Sequence, residues 1–311
     1  MFHLRAVLQQ LCCIHRPESA QRSLDRIQLE AAAPQLPPNA RSLSQGFGKV
    51  KTKLRIVYTS TGPDADRFDE AFHLNDLKLL VELMDSTQAV ETLLEPKHPW
   101  AEDPRTVGAL SAMQLAMLAS MVGEDDSSVR EDIGKAGAIP ALVRLLKCEE
   151  TDSMQAAVVA LKYLTEESGP NATAAFEAGA LPSLIQFLKH PMAGLRGAAA
   201  SCLRNMCVES KECHEHLAKL GGIEVLVNQL DYAELDVNTP HDHDLLLEAV
   251  WNLEDLIVDQ DGRPLDRFCR LAVEAGVFEK LQNLRQVGGG ELLLAVEKLL
   301  ESLTNFQPAK S

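Results

Sequence analysis

The stretch AGALPSLIQFL at residues 178–188 decides the fold, because the chain carries it three times with small changes. It occurs earlier as AGAIPALVRLL at residues 136–146 and later as LGGIEVLVNQL at residues 220–230. The glycines at its turn, Gly137, Gly179 and Gly221, are 42 residues apart each time. A fixed period of this length is the sequence signature of a solenoid, in which stacked helical repeats share one continuous core.

Each copy of the repeat predicts three helices. A short helix over residues 171–177 ends near Gly179, because glycine adopts the left-handed backbone that a sharp turn requires. A second helix over residues 182–189 begins with Pro182, whose missing N–H costs nothing in a first turn. A third, longer helix over residues 194–208 carries small residues where neighbouring helices approach closely. The unit is therefore three helices with a glycine turn between the first two.

Both ends of the repeat region depart from this pattern. Gly276 follows Gly221 by 55 residues instead of 42, which indicates an insertion at residues 231–244 before a long helix at residues 245–258 and a shorter one after it, near residues 262–264. A last helix is predicted at residues 291–306. Residues 64–111 space their apolar side chains as helices do but lack the glycine turn. We expect an atypical capping unit there, with a short helix at residues 87–95.

The first 63 residues differ in composition from the rest of the chain. They hold nine Lys and Arg against three Asp and Glu, a charge of +6, whereas the whole chain carries −15. Residues 64–311 therefore carry −21. Such an acidic region argues against nucleic acid, whose phosphates need a cationic surface, and favours basic protein partners. We predict that residues 1–63 form a basic, flexible tail and linker and that residues 64–311 form the folded domain.

The cysteines suggest a compartment and raise a question about the tail. There are seven, an odd number without a C-x-x-C pair, which indicates reduced thiols packed as small core residues in the cytoplasm. Acylation of Cys12 and Cys13 is one hypothesis, and it would tether the chain to a membrane. Residues 1–16 contain two arginines and no acid, so an organelle-targeting segment is a second hypothesis. A frayed tail without a targeting role is the third.

The three-helix unit and its glycine-proline turn resemble armadillo repeats. The long helices carry the matching motif as ALKYL at residues 160–164, CLRNM at residues 202–206 and NLEDL at residues 252–256. The resemblance implies an all-α fold, a right-handed α-α superhelix, with clear repeats at about residues 112–303. It also implies a concave groove, lined by the third helices, that holds an extended segment or a helix of another protein.

The resemblance also indicates where a partner binds. Peptide-binding armadillo proteins place a Trp and, four residues later, an Asn on each third helix, where the Asn amide bonds the peptide backbone. The matching positions here hold Val159 and Tyr163, Ser201 and Asn205, Trp251 and Asp255, and Lys298 and Ser302. The repeated Trp–Asn pattern is absent, which argues against a nuclear-import adaptor. We predict Tyr163, Asn205, Trp251 and Asp255 as groove residues.

A carboxylate recurs one helical turn further along the same face. It is Asp125, Glu167, Glu209 and Asp259 in successive units. Because a helix C-terminus disfavours negative charge, we interpret Glu167, Glu209 and Asp259 as an acidic groove wall for partners rich in Lys and Arg. A solvated helix edge, or an acid that serves the next helix, is the alternative interpretation.

The sequence offers no motif that requires a cofactor or performs catalysis. The glycine run at residues 288–290 lacks the preceding strand and the following Lys of a phosphate cradle. Four histidines are capable of binding metal but show no ligand pair four residues apart on a helix: His214, His216, His241 and His243. We expect no enzyme, no cofactor and no metal site. The glycosylation sequon at residues 171–173 is better explained by Asn171 as a helix N-cap.

Three functional hypotheses follow. The first is a non-enzymatic scaffold or adaptor that binds a partner segment in the concave groove. The second is a nucleotide-exchange factor for a major ATP-driven chaperone, a role that some short armadillo proteins have, and stimulated nucleotide release would distinguish it. The third is a membrane-tethered adaptor, which depends on Cys12 and Cys13. Serine substitutions there that leave the cellular location unchanged would remove it.

Overall fold

The structure, a computed structural model, describes residues 40–42 and 55–306, except positions 75, 96–103, 121–127, 232–239, 260–262 and 305. The predictions for Cys12, Cys13 and the rest of residues 1–39 lie outside the described residues, as does Asp125. Over the described ranges the chain is a row of three-helix units that begins beside a small sheet.

The described elements are three short strands and fifteen helices. The strands are β1 (Ala40–Ser42), β2 (Arg55–Thr59) and β3 (Glu91–Glu95). The first, capping unit contains α1 (Pro63–Leu74), α2 (Leu77–Leu83) and α3 (Val107–Ser120). Four units follow: α4 (Ser128–Lys135), α5 (Ala138–Leu145) and α6 (Thr151–Thr165); α7 (Gly169–Glu177), α8 (Leu181–Phe187) and α9 (Ala193–Glu209); α10 (Lys211–Lys219), α11 (Gly222–Asn228) and α12 (Pro240–Ile257); and α13 (Asp266–Glu274), α14 (Val277–Val287) and α15 (Gly290–Thr304).

The turn between the first two helices is the same in all four repeats. Gly137, Gly179, Gly221 and Gly276 have φ angles of 94°, 78°, 74° and 82°. This left-handed backbone is strained for residues with a Cβ, which explains why the sequence keeps glycine at this turn in each repeat. The predicted glycine turn and three-helix unit are therefore confirmed.

The third helices stack next to each other along the solenoid. In order, α3 packs on α6, α6 on α9, α9 on α12 and α12 on α15. Small side chains at Ala198, Ala199 and Ala200 lie buried in this stack. One cluster of buried apolar side chains runs from Tyr58 to Leu303, so the repeats share a continuous core.

The sheet was not predicted from the sequence. β2 pairs antiparallel with β1 and with β3, where the sequence analysis predicted a helix over residues 87–95. A short apolar run does not by itself distinguish strand from helix, and here the neighbouring β-branched strand decides. The Tyr58 ring is fully buried and meets Phe68 edge-on at 5.7 Å between centroids. The strands β1 and β2 therefore lie within the segment before residue 64 that the sequence analysis assigned to the tail and linker.

Two further local predictions need correction. α12 begins at Pro240 instead of residue 245, because Pro240 and Asp242 supply the fixed φ and the acid that suit a first helical turn. Asn171 does not cap α7. It lies inside the first turn, buried, with its amide bonded to the backbone oxygens of Arg130 and Leu164.

Candidate binding surface

The third helices present the candidate site on one side. We define the groove face as the side of α6, α9, α12 and α15 that carries residues 159 and 163, 201 and 205, 251 and 255, and 298 and 302. Residues four apart on a helix lie above one another, so each pair occupies one stripe of its helix. Neighbouring third helices pack on one another, but residues 159, 163, 201 and 205 of the first two stripes are buried.

The C-terminal part of the groove face is open. Trp251 on α12 leaves 39% of its surface exposed, although a ring of this size is usually buried. Asp255, one turn later, accepts a hydrogen bond from Nη1 of Arg204 at 3.1 Å. On α15, Nζ of Lys298 lies 2.8 Å from Oε1 of Glu254, and this hydrogen bond raises the pKa of Lys298. An exposed indole thus sits among charged side chains.

The predicted groove residues of the earlier units are not available in the same way. Tyr163 is only 1% exposed and packs in the core, so its assignment to an open surface is wrong in this structure. Asn205 is buried and its amide is already engaged. Its oxygen accepts from Nη2 of Arg204 at 2.8 Å, and its Nδ2 donates to Oγ1 of Thr165 at 3.1 Å. Asn205 therefore connects two units. The N–H that bonds to Thr165 is not available to a partner's backbone.

The recurring carboxylates have roles inside the fold. Glu167 has a φ of 51°, the only positive value at a described residue other than glycine, and lies 3.5 Å from Nη1 of the buried Arg130. Glu209 lies against the first turn of α7, since a Cβ added to Gly169 would come within 2.8 Å of its Oε2. A carboxylate is favourable at a helix N-terminus. These contacts fit the alternative interpretation, an acid that serves a neighbouring element, for both residues.

Asp259 closes a turn after α12. Its Oδ1 accepts from the backbone N–H of Arg263 at 2.8 Å, and its own N–H donates to the oxygen of Arg263 at 2.8 Å. Asp259 is partly exposed, so it still adds negative potential beside Asp255. The acidic wall of Glu167, Glu209 and Asp259 remains a prediction, and Glu167 and Glu209 are its more exposed members.

The histidines are dispersed across the structure. His214 is buried and stacks on Phe268 with centroids 3.7 Å apart, and His216 lies 2.8 Å from the oxygen of Glu212. His243 contacts the oxygen of Gly289 at 3.2 Å. Over the described ranges, no three side chains of His, Cys, Asp or Glu are grouped as metal ligands. In the described residues, these histidines therefore pack against a ring or contact backbone oxygens.

Burial of His214 predicts a pH dependence of stability. Desolvation lowers the pKa of His214 in the folded chain below its ordinary value of about 6.5. The unfolded chain then binds more protons than the folded chain below that pH, so stability is lost as pH falls through about 6.5. We expect the free energy of unfolding, from urea titrations, to fall between pH 7 and pH 5, and to fall less in His214→Phe. His190, whose pKa burial also lowers, leaves a residual slope. Equal slopes in both proteins would contradict the role of His214.

The described cysteines behave as core residues, as the sequence predicted. Cys202, Cys207, Cys213 and Cys269 are buried, Cys148 is half-buried, and all five are free thiols. Burial raises the pKa of Cys202 to about 12 and that of Cys269 to about 11. A thiol that resists ionisation is a poor nucleophile and a poor metal ligand.

None of the described helices has the length and hydropathy needed to cross a bilayer.

Sequence reasoning missed the charged bridges between units. Nζ of Lys162 on α6 lies 3.3 Å from Oε1 of Glu248 on α12, although α9 stands between these helices. The carboxylate of this ion pair lies next to Gly197 on α9, since an added Cβ there would be 3.7 Å from Oε2 of Glu248. Gly197 is one of the small residues of the helix predicted at residues 194–208. Its position opposite two charged residues in the flanking repeats was the signal that could have revealed the bridge.

Comparisons with known proteins agree with this geometry. A family profile for the Armadillo/beta-catenin-like repeat matches residues 126–166 and 170–208. ARO, the armadillo repeats only protein from Plasmodium falciparum, is 38% identical, with a TM-score of 0.71 over 79% of this chain and 99% of that one. The chain belongs to the armadillo-repeat family. It is an armadillo solenoid, and the predicted all-α fold class is confirmed.

Designed proteins share the fold at lower identity. A designed armadillo repeat protein, YIII(Dq.V1)4CPAF, solved in complex with the peptide (KR)4, is 20% identical with a TM-score of 0.57. The similarity covers 96% of this chain and 99% of the designed one. At this identity the comparison supports the fold alone.

Proposed function

We propose that the chain is a non-enzymatic adaptor that binds a basic segment of another protein on the open part of the groove face. The observation that carries the proposal is the exposed indole of Trp251, one helical turn from the carboxylate of Asp255. Large aromatic side chains dominate the energetics of protein interfaces when a partner covers them. The armadillo scaffold supplies the extended surface that such a segment needs.

The chemistry around Trp251 favours a segment rich in Lys and Arg. A cation over an indole face is stabilised by about 0.5–2 kcal/mol, depending on how far water is excluded. Asp255, one turn from the ring, carries negative charge although it is paired with Arg204, and residues 64–311 carry −21 overall. A field of this sign accelerates the encounter with basic partners. The peptide (KR)4, bound by the designed armadillo protein, has this composition.

The test is a titration of fluorescently labelled (KR)4 peptide, followed by anisotropy. We expect Trp251→Ala to weaken binding about tenfold, because the loss of a hot-spot aromatic costs about 1–2 kcal/mol or more. The matched control is Leu220→Ala, which truncates an apolar side chain that is 51% exposed at a turn outside the groove face. It is expected to leave affinity unchanged.

A second pair of variants distinguishes the contribution of the groove face to peptide affinity from that of the overall negative charge. Asp255→Asn removes one charge from the groove face, and Glu224→Gln removes one from the exposed surface of α11. The proposal requires Asp255→Asn to weaken the peptide more than Glu224→Gln does. Equal effects from both charge variants, together with an unaltered affinity in Trp251→Ala, would reject the groove as the site.

The proposal includes a cytoplasmic location. It rests on seven cysteines without a C-x-x-C pair, of which the five described are free thiols. Acylation of Cys12 and Cys13 is a separate proposal for a membrane-associated form, and fractionation of cells that express the Cys12→Ser/Cys13→Ser variant tests it.

A further inference from the structure

The carboxylates beside Trp251 already have cationic partners from this chain. Trp251, Glu254 and Asp255 lie within about one turn of α12, at spacings that place them on the same side of the helix. Glu254 is turned towards α15, where Nζ of Lys298 lies 2.8 Å from its Oε1. Asp255 is turned towards α9, where Nη1 of Arg204 lies 3.1 Å from its Oδ2. A basic segment that binds beside the indole therefore meets two carboxylates that are both paired.

The cation on Asp255 is firmly held. Nε and Nη2 of Arg204 both donate to Oδ1 of Asn205, at 3.2 and 2.8 Å, while Nη1 donates to Asp255. A planar guanidinium that bonds two side chains at once loses several hydrogen bonds when it is displaced. We therefore expect Arg204 to stay on Asp255 when a partner binds.

The cation on Glu254 is held by a single contact. The Lys298 side chain is 71% exposed, and over the described ranges Glu254 is the only carboxylate that forms an ion pair with it. The hydrogen bond to Glu254 raises the pKa of Lys298, so its ammonium is charged at neutral pH. Lysine carries this charge on a flexible stem, and water solvates an exposed ammonium readily when it leaves its partner. Lys298 therefore leaves Glu254 at low cost.

Glu254 requires a cation in this place. Its side chain is 10% exposed, so the carboxylate has lost most of its hydration and is unfavourable without a partner. When Lys298 leaves, another cation has to replace it. The exposed indole of Trp251, three residues earlier on the same helix, offers an apolar surface to the stem of a Lys or Arg side chain.

We propose that Glu254 and Trp251 form a subsite for one cationic side chain of the partner, and that Lys298 occupies this subsite in the free chain. The inference rests on the proposed function, since it concerns the same basic segment on the same groove face. When the segment binds, its Lys or Arg replaces the ammonium of Lys298 at Glu254. Lys298 is thus an internal competitor that lowers the affinity for basic segments.

Anisotropy titration of labelled (KR)4 with the full chain tests the subsite. In Lys298→Met the carboxylate is vacant, so we expect affinity to rise about threefold to fivefold, as the loss of a weak competing ion pair allows. The matched control is Arg285→Met on α14, a second helix of its unit. Nη2 of Arg285 lies 3.4 Å from Oε1 of Glu297, and both side chains are about half exposed. The control changes the net charge equally, so only a larger gain in Lys298→Met supports the subsite.

A second variant removes the carboxylate itself. We expect Glu254→Gln to weaken (KR)4 about fivefold, and more than the surface variant Glu224→Gln does, because the partner's cation loses its charged acceptor. In the Glu254→Gln background, Lys298→Met should give no more gain than Arg285→Met, since the ammonium no longer has a carboxylate to occupy. Circular dichroism checks that each variant keeps its helices.

The outcomes separate this inference from the proposed function. Equal gains in Lys298→Met and Arg285→Met, with binding that still depends on Trp251, would overturn the subsite and leave the groove as the binding site. If Lys298→Met loses helical structure, Glu254→Gln decides, and an affinity equal to that of Glu224→Gln overturns the subsite. Absence of binding in the wild type and in every variant would reject the proposed function and the subsite together. Binding that appears only in Lys298→Met would support both.

Discussion

Lys162→Met is expected to lower the free energy of unfolding by about 3 kcal/mol, because it leaves a carboxylate largely buried without its cation. The Lys162 side chain is 5% exposed and that of Glu248 is 17% exposed, with 3.3 Å between Nζ and Oε1. A single buried partner is costly, whereas two apolar residues in the same place are often neutral. For a domain of this size the loss corresponds to about 6–12 °C in Tm.

A double-mutant cycle separates the ion pair from packing. Glu248→Leu alone removes the carboxylate that faces the buried Lys162 ammonium and should also destabilise the fold. The double variant Lys162→Met/Glu248→Leu should recover most of the loss, because no uncompensated charge remains. Chemical denaturation at neutral pH, monitored by circular dichroism, supplies the four free energies.

The control for this cycle is a surface pair. Nη2 of Arg144 lies 2.9 Å from Oδ2 of Asp85, and both side chains are more than half exposed. Arg144→Met should cost less than about 1 kcal/mol, since water screens such pairs and the free ions are well solvated. A similar small loss in Lys162→Met would show that the bridge between units contributes no more than a surface contact.

The repeat itself could be predicted because its cause is local. Gly137, Gly179, Gly221 and Gly276 each adopt a left-handed backbone that strains any other residue, so glycine recurs at the same turn of each repeat. The long helices followed from the small and apolar residues between those turns. Both features depend on neighbours within one unit.

The errors concern contacts between distant segments. β3 at residues 91–95 forms a strand only because β2 pairs with it, and nothing within Glu91–Glu95 distinguishes strand from helix. Tyr163 matched a groove position in the repeat, but a repeat position does not determine whether the side chain is exposed or buried. The bridge from Lys162 to Glu248 joins residues 86 apart, and it needs the solenoid geometry before it can be recognised.

The candidate site was predicted in part for the same reason. Trp251 and Asp255 came from the repeat alignment, and the structure places both on an exposed face. Asn205 came from the same alignment, but its amide bonds to Arg204 and Thr165. The sequence shows which residues share a stripe of the solenoid. Which of these residues are exposed to solvent depends on packing and hydrogen bonds between units, which the repeat alignment does not show.

Asn171→Ala is the second variant with a large expected effect, a loss of about 3 kcal/mol in the free energy of unfolding. The two hydrogens of its amide reach two carbonyl oxygens, that of Arg130 in α4 at 2.8 Å and that of Leu164 near the end of α6 at 2.9 Å. The side chain is buried, so water does not replace it when it is removed. Carbonyls in the last turn of a helix lack an intrahelical partner, which makes the bond to Leu164 hard to substitute.

The same side chain sets the space at α4. A Cβ added to Gly134 would lie 1.8 Å from Oδ1 of Asn171, so any side chain at position 134 would clash with this asparagine. Asn171→Asp keeps the volume but turns a double donor into an acceptor that faces two carbonyls, and should be more destabilising than alanine.

Thr173→Ala is the matched control for Asn171→Ala. It lies on the exposed side of α7 and removes the same sequon without touching the amide bonds. We expect it to change the free energy of unfolding by less than about 0.5 kcal/mol. If Asn171→Ala is as mild as Thr173→Ala, the amide does not join α4, α6 and α7. If the loss is large in Asn171→Ala alone, the buried amide of Asn171 holds α4, α6 and α7 together. This contact between helices stabilises the repeat in addition to the glycine turn.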